Sequence, residues 1–196
     1  MRKDLKLLII LFLLAISYAW LRYGVNDNWK AKLKKPIIIN LDKDGSNYKR
    51  AHFLFEIDSL INIRDFKNAT KRIDSALKEN KSDYILLDSK GRLLLMEGNT
   101  RQSLPFFNAA IVIEGEVPRM LEHRSNAYQQ LGLYDSSILD LKKGSFWRTD
   151  FYLGIAETYE KTKRIDSAIK YYSLYFDSNP DSVKILIKVK NLRQGG

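Results

Sequence analysis

A spacing of about 34 residues recurs along this chain and constrains its fold more than any other feature. Between the recurring positions, apolar residues repeat at helical spacing, and short polar breaks divide the chain into segments of about 12 to 15 residues. Small residues open four of these segments, at Ala69, Ser103, Ser137 and Ala168. The successive separations are 34, 34 and 31 residues. A fixed period of this length predicts an array of stacked helical hairpins.

Other positions keep the same register. The first helix of each hairpin carries a large residue at Phe53, Leu87, Leu121 and Tyr152. Four residues later, where two helices would cross closely, stand Ile57, Gly91, Ser125 and Ala156, followed by the large Leu60, Leu94, Tyr128 and Tyr159. In the second helices, Ile73, Phe107, Leu141 and Tyr172 precede Ala76, Ala110, Gly144 and Tyr175. Small residues let antiparallel helices approach, and large ones fill the gaps between hairpins.

In this alternation the chain resembles the tetratricopeptide repeat family, most clearly over 87–110 and 152–180. The resemblance implies an all-α fold, a right-handed superhelical α-solenoid of about four hairpins that share one core. The sequence adds one predicted transmembrane helix before the array. The expected boundaries are repeats at 50–83, 84–117, 118–148 and 149–180, and a capping helix at 181–194.

Three parts of the chain allow more specific predictions: the first hairpin, the third repeat and the capping helix. Ile57 and Arg64 stand where a small residue and a turn glycine are usual, which predicts an opened or irregular first hairpin. Gly144 and Ser145 predict an early end to the second helix of the third repeat. In the capping helix we expect Val183, Leu186, Ile187 and Val189 to pack on the fourth hairpin, while Lys184, Lys188 and Lys190 face water.

The N-terminal segment predicts insertion into a membrane. Residues 7–21 are almost wholly apolar and follow a basic start. We favour a single-pass anchor over 1–24, because the apolar stretch continues through Trp20 and Leu21 with Arg22 able to reach the interface. The alternative is a signal peptide cleaved near Ala19, since Ser17 and Ala19 are small. Both place the repeats on the exported, periplasmic side, tethered in the first case and soluble in the second.

A charged linker is predicted over 25–47. The run 36–41 (Pro-Ile-Ile-Ile-Asn-Leu) favours an extended backbone, and 42–46 is typical of a turn. Its lysines contribute to the formal net charge of +10 and could lie against anionic headgroups. The positive charge is the sole argument for nucleic acid, and no binding motif accompanies it.

Catalytic chemistry has no candidate residues in this sequence. There is no cysteine, which excludes disulfides and zinc-thiolate sites. The two histidines, His52 and His123, belong to no catalytic motif. We therefore expect no enzyme activity, no cofactor and no metal.

The resemblance implies that first helices line a concave groove that binds a protein or peptide. Projecting the register onto that groove gives the candidates Leu54, Asp58, Asp88, Arg92, Leu95, Arg119, Glu122, His123, Asn126, Leu153 and Glu157, with Ile61 beside them. Arg92, Arg119 and His123 predict a cationic patch for an acidic peptide. The carboxylate clamp of some family members is absent, because its positions hold Leu54, Asp58 and Asp88.

Overall fold

The computed structural model describes residues 46–194, and in that part of the chain it contains nine helices and no strand. The helices are α1 (Ser46–Asn62), α2 (Phe66–Glu79), α3 (Tyr84–Met96), α4 (Thr100–Glu114), α5 (Pro118–Gln130), α6 (Tyr134–Ser145), α7 (Phe151–Lys161), α8 (Ile165–Ser178) and α9 (Val183–Gln194). Helix α1 therefore begins two residues inside the predicted linker. The predicted anchor at 1–24 and the extended run at 36–41 lie outside the described residues.

The helices pack as four consecutive hairpins. Each first helix contacts the second helix of its own pair, and each second helix contacts the first helix that follows it. The first helices α1, α3 and α5 also contact one another in order. This stacking is the all-α solenoid that the period predicts.

The repeat register places its small residues in the core. Ala69, Ser103, Ser137 and Ala168 are all 0% exposed. At Gly91 the helices approach so closely that a β-carbon would lie 2.5 Å from Cε1 of Phe107. A side chain at this crossing would force α3 and α4 apart.

One turn geometry joins the two helices of every hairpin. In the second hairpin, the amide of Asn99 donates to the carbonyl of Leu94 at 2.8 Å, and Gly98 is left-handed with φ 84°. In the first hairpin, the amide of Asp65 donates to Leu60 at 2.9 Å, and Arg64 takes the left-handed position with φ 62°. The turn of the first hairpin is therefore regular, because hydrogen bonding holds a non-glycine residue in the same conformation. Its two helices contact each other less extensively than the helix pairs of the other three hairpins, as the prediction of an opened hairpin expects.

The third hairpin is shortened as predicted. Helix α6 ends at Ser145, and the exposed Phe146 and Trp147 follow it in the connection to α7. A β-carbon at Gly144 would collide with the ring of Phe151. The missing side chain therefore lets the start of α7 pack directly on the end of α6.

The capping helix α9 packs through Val189 as predicted, but the other residues of its packing face differ from the predicted ones. Val189 is 5% exposed, and Ile185 and Leu192 contact the same core cluster. Val183, Leu186 and Ile187 are exposed, so their predicted packing is wrong. Residues 185, 189 and 192 follow the i, i+4, i+7 spacing of one helical stripe, and apolar residues also occur on the opposite stripe.

Polar contacts fix α9 to the last hairpin. Lys188, which we expected to face water, lies 2.8 Å through Nζ from Oε2 of Glu160. The buried Tyr172 donates its hydroxyl to the same oxygen at 2.5 Å. Burial, followed by this hydrogen bond, raises the pKa of Tyr172. Desolvation opposes ionisation of Glu160, but the hydrogen bonds from Lys188 and Tyr172 outweigh it and lower the pKa of that carboxyl.

Candidate functional site

The first helices of the four hairpins, α1, α3, α5 and α7, carry all the predicted groove residues, and we call their shared surface the first-helix face. Three of the candidates are exposed: Arg119, Asn126 and Glu157. Seven are half-buried: Leu54, Asp58, Arg92, Leu95, Glu122, His123 and Leu153. Asp88 and the neighbouring Ile61 are fully buried. Ten of the eleven candidates therefore remain within reach of a partner.

Asp88 holds other side chains in place instead of offering itself to a ligand. The residue is 0% exposed. Nδ1 of His123 lies 2.9 and 3.0 Å from its two carboxylate oxygens, and Nε of Arg119 lies 3.6 Å from one of them. A buried carboxylate needs such partners because ionisation away from water is costly. The prediction that Asp88 contacts a partner directly is therefore corrected.

The predicted cationic patch is neutralised in the same way. Nη1 of Arg92 lies 2.6 Å from Oδ1 of Asp58, while Arg119 and His123 face Asp88. Each cation of the patch has a carboxylate partner on the preceding first helix. This half of the first-helix face thus presents balanced charge, and the patch does not favour an acidic peptide.

Sequence register could have indicated one of these pairs. Asp58 and Arg92 are 34 residues apart and occupy the same position in adjacent repeats. Equivalent positions on neighbouring first helices lie side by side, so opposite charges there can pair. His123 and Asp88 are 35 residues apart and do not occupy equivalent repeat positions. Their contact depends on the burial of Asp88, which the repeat pattern does not predict.

A cavity of about 190 Å³ lies between α5 and α7 on the first-helix face. Its lining includes four of the predicted residues: Glu122, Asn126, Leu153 and Glu157. The remaining lining residues are Gln129, Leu141, Asp150, Phe151 and Gly154. The structure therefore brings the predicted residues of the third and fourth repeats together at one place.

Sequence reasoning missed Gln129 and Asp150 at this cavity. Asp150 occupies the register position of Arg119, 31 residues earlier, so the same projection could have found it. The carboxamide of Gln129 donates from Nε2 to Oγ1 of Thr158 at 3.1 Å and links α5 to α7.

Arg148 reaches the rim of this cavity from the connection between α6 and α7. Its Nε donates to Oδ1 of Asp150 at 3.0 Å, and Nη2 pairs with the other oxygen of that carboxylate. Nη1 lies 3.3 Å from Oε2 of Glu122. The hydrogen bond with Asp150 raises the pKa of Arg148. The guanidinium carbon stands 5.2 Å from the ring centroid of Phe151, a cation–π distance.

A second, larger cavity of about 490 Å³ lies at the N-terminal end of the array, away from the predicted residues. It lies beside the ion pair between Arg50 and the buried Asp83, 2.7 Å apart. Asp83 caps α3 by accepting hydrogen bonds from the amides of Ile85 and Leu86. These two polar groups hold α1 and the start of α3 in place.

Among residues 46–194, no helix has both the length and the apolar character needed to cross a bilayer. In the same range, no three histidine, cysteine or carboxylate side chains are grouped so that they could hold a metal ion.

Comparison with known proteins supports the resemblance seen in the repeat register. A tetratricopeptide repeat model matches residues 149–182, which contain the fourth hairpin. No match is found among curated proteins.

Solved structures share the fold at low sequence identity. The crystal structure of MamA matches with a TM-score of 0.63 and 15% identity, over 71% of this chain and 83% of that one. The pilF protein of Pseudomonas aeruginosa gives 0.66 and 12%, over 76% and 69%. YrrB, described as a TPR protein with an unusual peptide-binding site, gives 0.60 and 11%, over 71% and 74%. Such likenesses establish a tetratricopeptide-type helical solenoid.

Proposed function

We propose that this chain is a membrane-tethered interaction scaffold whose first-helix face binds a protein or peptide partner. A solenoid presents a long continuous surface without a catalytic constellation, and such surfaces suit extended or helical ligands. The tether is the apolar segment at 7–21, with the repeats on the exported side.

The observation that carries the proposal is the convergence of predicted residues around the cavity between α5 and α7. Apolar side chains of Phe151 and Leu153 lie beside the polar Asn126 and Glu157. Binding sites commonly combine an apolar wall with a few polar groups that fix orientation. The peptide-binding site named for YrrB is a property of that protein, and it shows that the fold can host one.

Site-specific photo-crosslinking tests the binding face. The full chain would carry p-benzoylphenylalanine in place of Asn126 or Leu95, both on the first-helix face. A third variant would carry it in place of Lys71, which is exposed on the second helix α2. We expect the first two positions to crosslink one defined protein in cells and Lys71 not to do so. Equal crosslinking from all three positions, or none from the first-helix face, would contradict the proposed binding mode.

The tether has a separate test. Carbonate washing should leave the full chain in the membrane fraction, and its N-terminal peptide should still contain the residues before Ala19. Release of a shortened chain would replace the tethered scaffold with the alternative, a soluble exported binding protein cleaved near Ala19.

A further inference from the structure

Excess negative charge on the first-helix face is concentrated at its C-terminal half, where three carboxylates lie near one arginine. Toward the N-terminus, Asp58 and Asp88 balance Arg92 and Arg119. The cavity between α5 and α7 is different, because its lining contains three carboxylates and no Lys, Arg or His. The carboxylates belong to Glu122, Asp150 and Glu157. Local charge here opposes the net charge of +10 on the whole chain.

One cation already occupies part of this rim. Arg148 bridges Glu122 and Asp150 from a side chain that is 46% exposed. Exposed ion pairs of this kind contribute about 0–1 kcal/mol, so a competing cation could displace Arg148 at small cost. Glu157 is exposed and has no ion-pair partner within residues 46–194.

The walls of the cavity suit the apolar stem of a long cationic side chain. Phe151 is 4% exposed and forms a wall with Leu141 and Leu153. Gly154 adds no side chain to the lining, and a β-carbon there would lie 3.4 Å from Leu141. At about 190 Å³, the cavity is smaller than the roughly 300–1,000 Å³ of a pocket for a drug-sized molecule. It therefore has room for a single side chain whose charged end stays at the carboxylate rim.

We infer that this cavity receives an arginine or lysine side chain, so that the partner segment recognised by the first-helix face is basic. Glu157 pairs with the incoming cation, and Arg148 holds the rim until the partner arrives. The side-chain carboxamide of Asn126, which has no hydrogen-bond partner among the described residues, is available to the partner's backbone. This inference rests on the proposed function and adds the chemical class of the ligand.

The test uses the full chain in detergent and two fluorescein-labelled peptides, measured by fluorescence anisotropy in moderate salt. One peptide repeats Gly-Ser-Arg four times, and the other replaces each arginine with citrulline, which has the same shape without the charge. We expect the arginine peptide to bind at least about tenfold more tightly than the citrulline peptide.

Substitutions at the rim separate the site from general charge attraction. Glu157→Gln should weaken binding of the arginine peptide about three- to tenfold, and Arg148→Gln should strengthen it about threefold. Glu114→Gln and Arg101→Gln make the same charge changes at exposed positions of α4. These controls should change affinity less than twofold. Circular dichroism would verify that all four variants remain folded.

Three results would overturn the inference: no binding of the arginine peptide, equal binding of the citrulline peptide, or equal effects of Glu157→Gln and Glu114→Gln. None of them depends on the photo-crosslinking result. If Asn126 still crosslinks a cellular partner, the scaffold function stands and only the basic character of the ligand is wrong. If the first-helix face captures no partner, the scaffold function itself fails.

Discussion

Arg124 of α5 and Asp140 of α6 form two parallel hydrogen bonds, Nε to Oδ2 and Nη2 to Oδ1, both 2.7 Å long. The same register positions in the first repeat, 68 residues earlier, hold Glu56 and Arg72, which pair at 2.6 Å. The two hairpins therefore use the same contact with the charges exchanged. Asp140 is 1% exposed, and its hydrogen bond raises the pKa of Arg124.

Breaking the buried pair should destabilise the array. We expect Asp140→Asn to lower the free energy of unfolding by about 3 kcal/mol, because Arg124 is left without its counter-charge. The exchanged pair, Arg124→Glu with Asp140→Arg, copies the order of the first repeat and should recover more than half of that loss. Urea unfolding followed by circular dichroism measures both. A double variant no more stable than Asp140→Asn would show that the two contacts are not equivalent.

The crossing of α3 and α4 should not tolerate a side chain. Gly91→Ala places a methyl group against Phe107 and should cost about 1–3 kcal/mol of stability. In a chain that already carries Phe107→Leu, the smaller neighbour leaves room, so Gly91→Ala should cost markedly less. The four chains of this double-mutant cycle are compared by urea unfolding. An equal cost in both backgrounds would mean that crowding against Phe107 is not the cause.

The packing face of α9 can be tested with one matched pair. Val189→Asp buries a carboxylate and should cost about 3 kcal/mol. Ile187→Asp makes a similar change at a position that is 52% exposed, and it should stay within about 0.5 kcal/mol of the parent. Thermal melting distinguishes them. The opposite ranking would contradict the packing face that the structure shows.

Acid should weaken the attachment of α9. The pKa of Glu160 is lower in the folded chain than its ordinary value of 4.5, so its pairing contributes stability above that pH. The contribution is lost as pH falls below about 4.5 and through the folded pKa. Glu160→Gln should lower stability at pH 7 by about 1 kcal/mol. It should also flatten the dependence of stability on pH in this window. An unchanged pH profile would exclude Glu160 as the titrating group.

Sequence periodicity predicted the hairpin core because core positions repeat while surface positions vary. The four small residues from Ala69 to Ala168 are all buried. Periodicity could not choose the packing face of α9, since Ile185 and Ile187 are both apolar and stand on opposite stripes. It also could not show that Arg64 keeps the left-handed turn of the first hairpin, which backbone hydrogen bonds complete without glycine.

The sequence predicted where the candidate site lies but not which of its charged side chains pair with each other. Register placed Glu122, Asn126, Leu153 and Glu157 on one face, and the structure gathers them at one cavity. The pairing of individual charges depends on burial and on residues outside the first helices. Arg148 lies in a connection that no repeat position describes, so its place on the cavity rim required the structure.

The contact of Asp88 with its neighbours limits how these repeats could be rearranged by recombination. All four hairpins share a core pattern, which alone would let them exchange places. If the second and third hairpins were swapped, Asp88 would face Asp150 and Gly154, the register equivalents of Arg119 and His123. The buried carboxylate of Asp88 would then face the like charge of Asp150, and Gly154 would offer no side chain to pair with it. The order of the hairpins is thus encoded in the charges that pair between neighbouring repeats, and an array in the swapped order would be less stable.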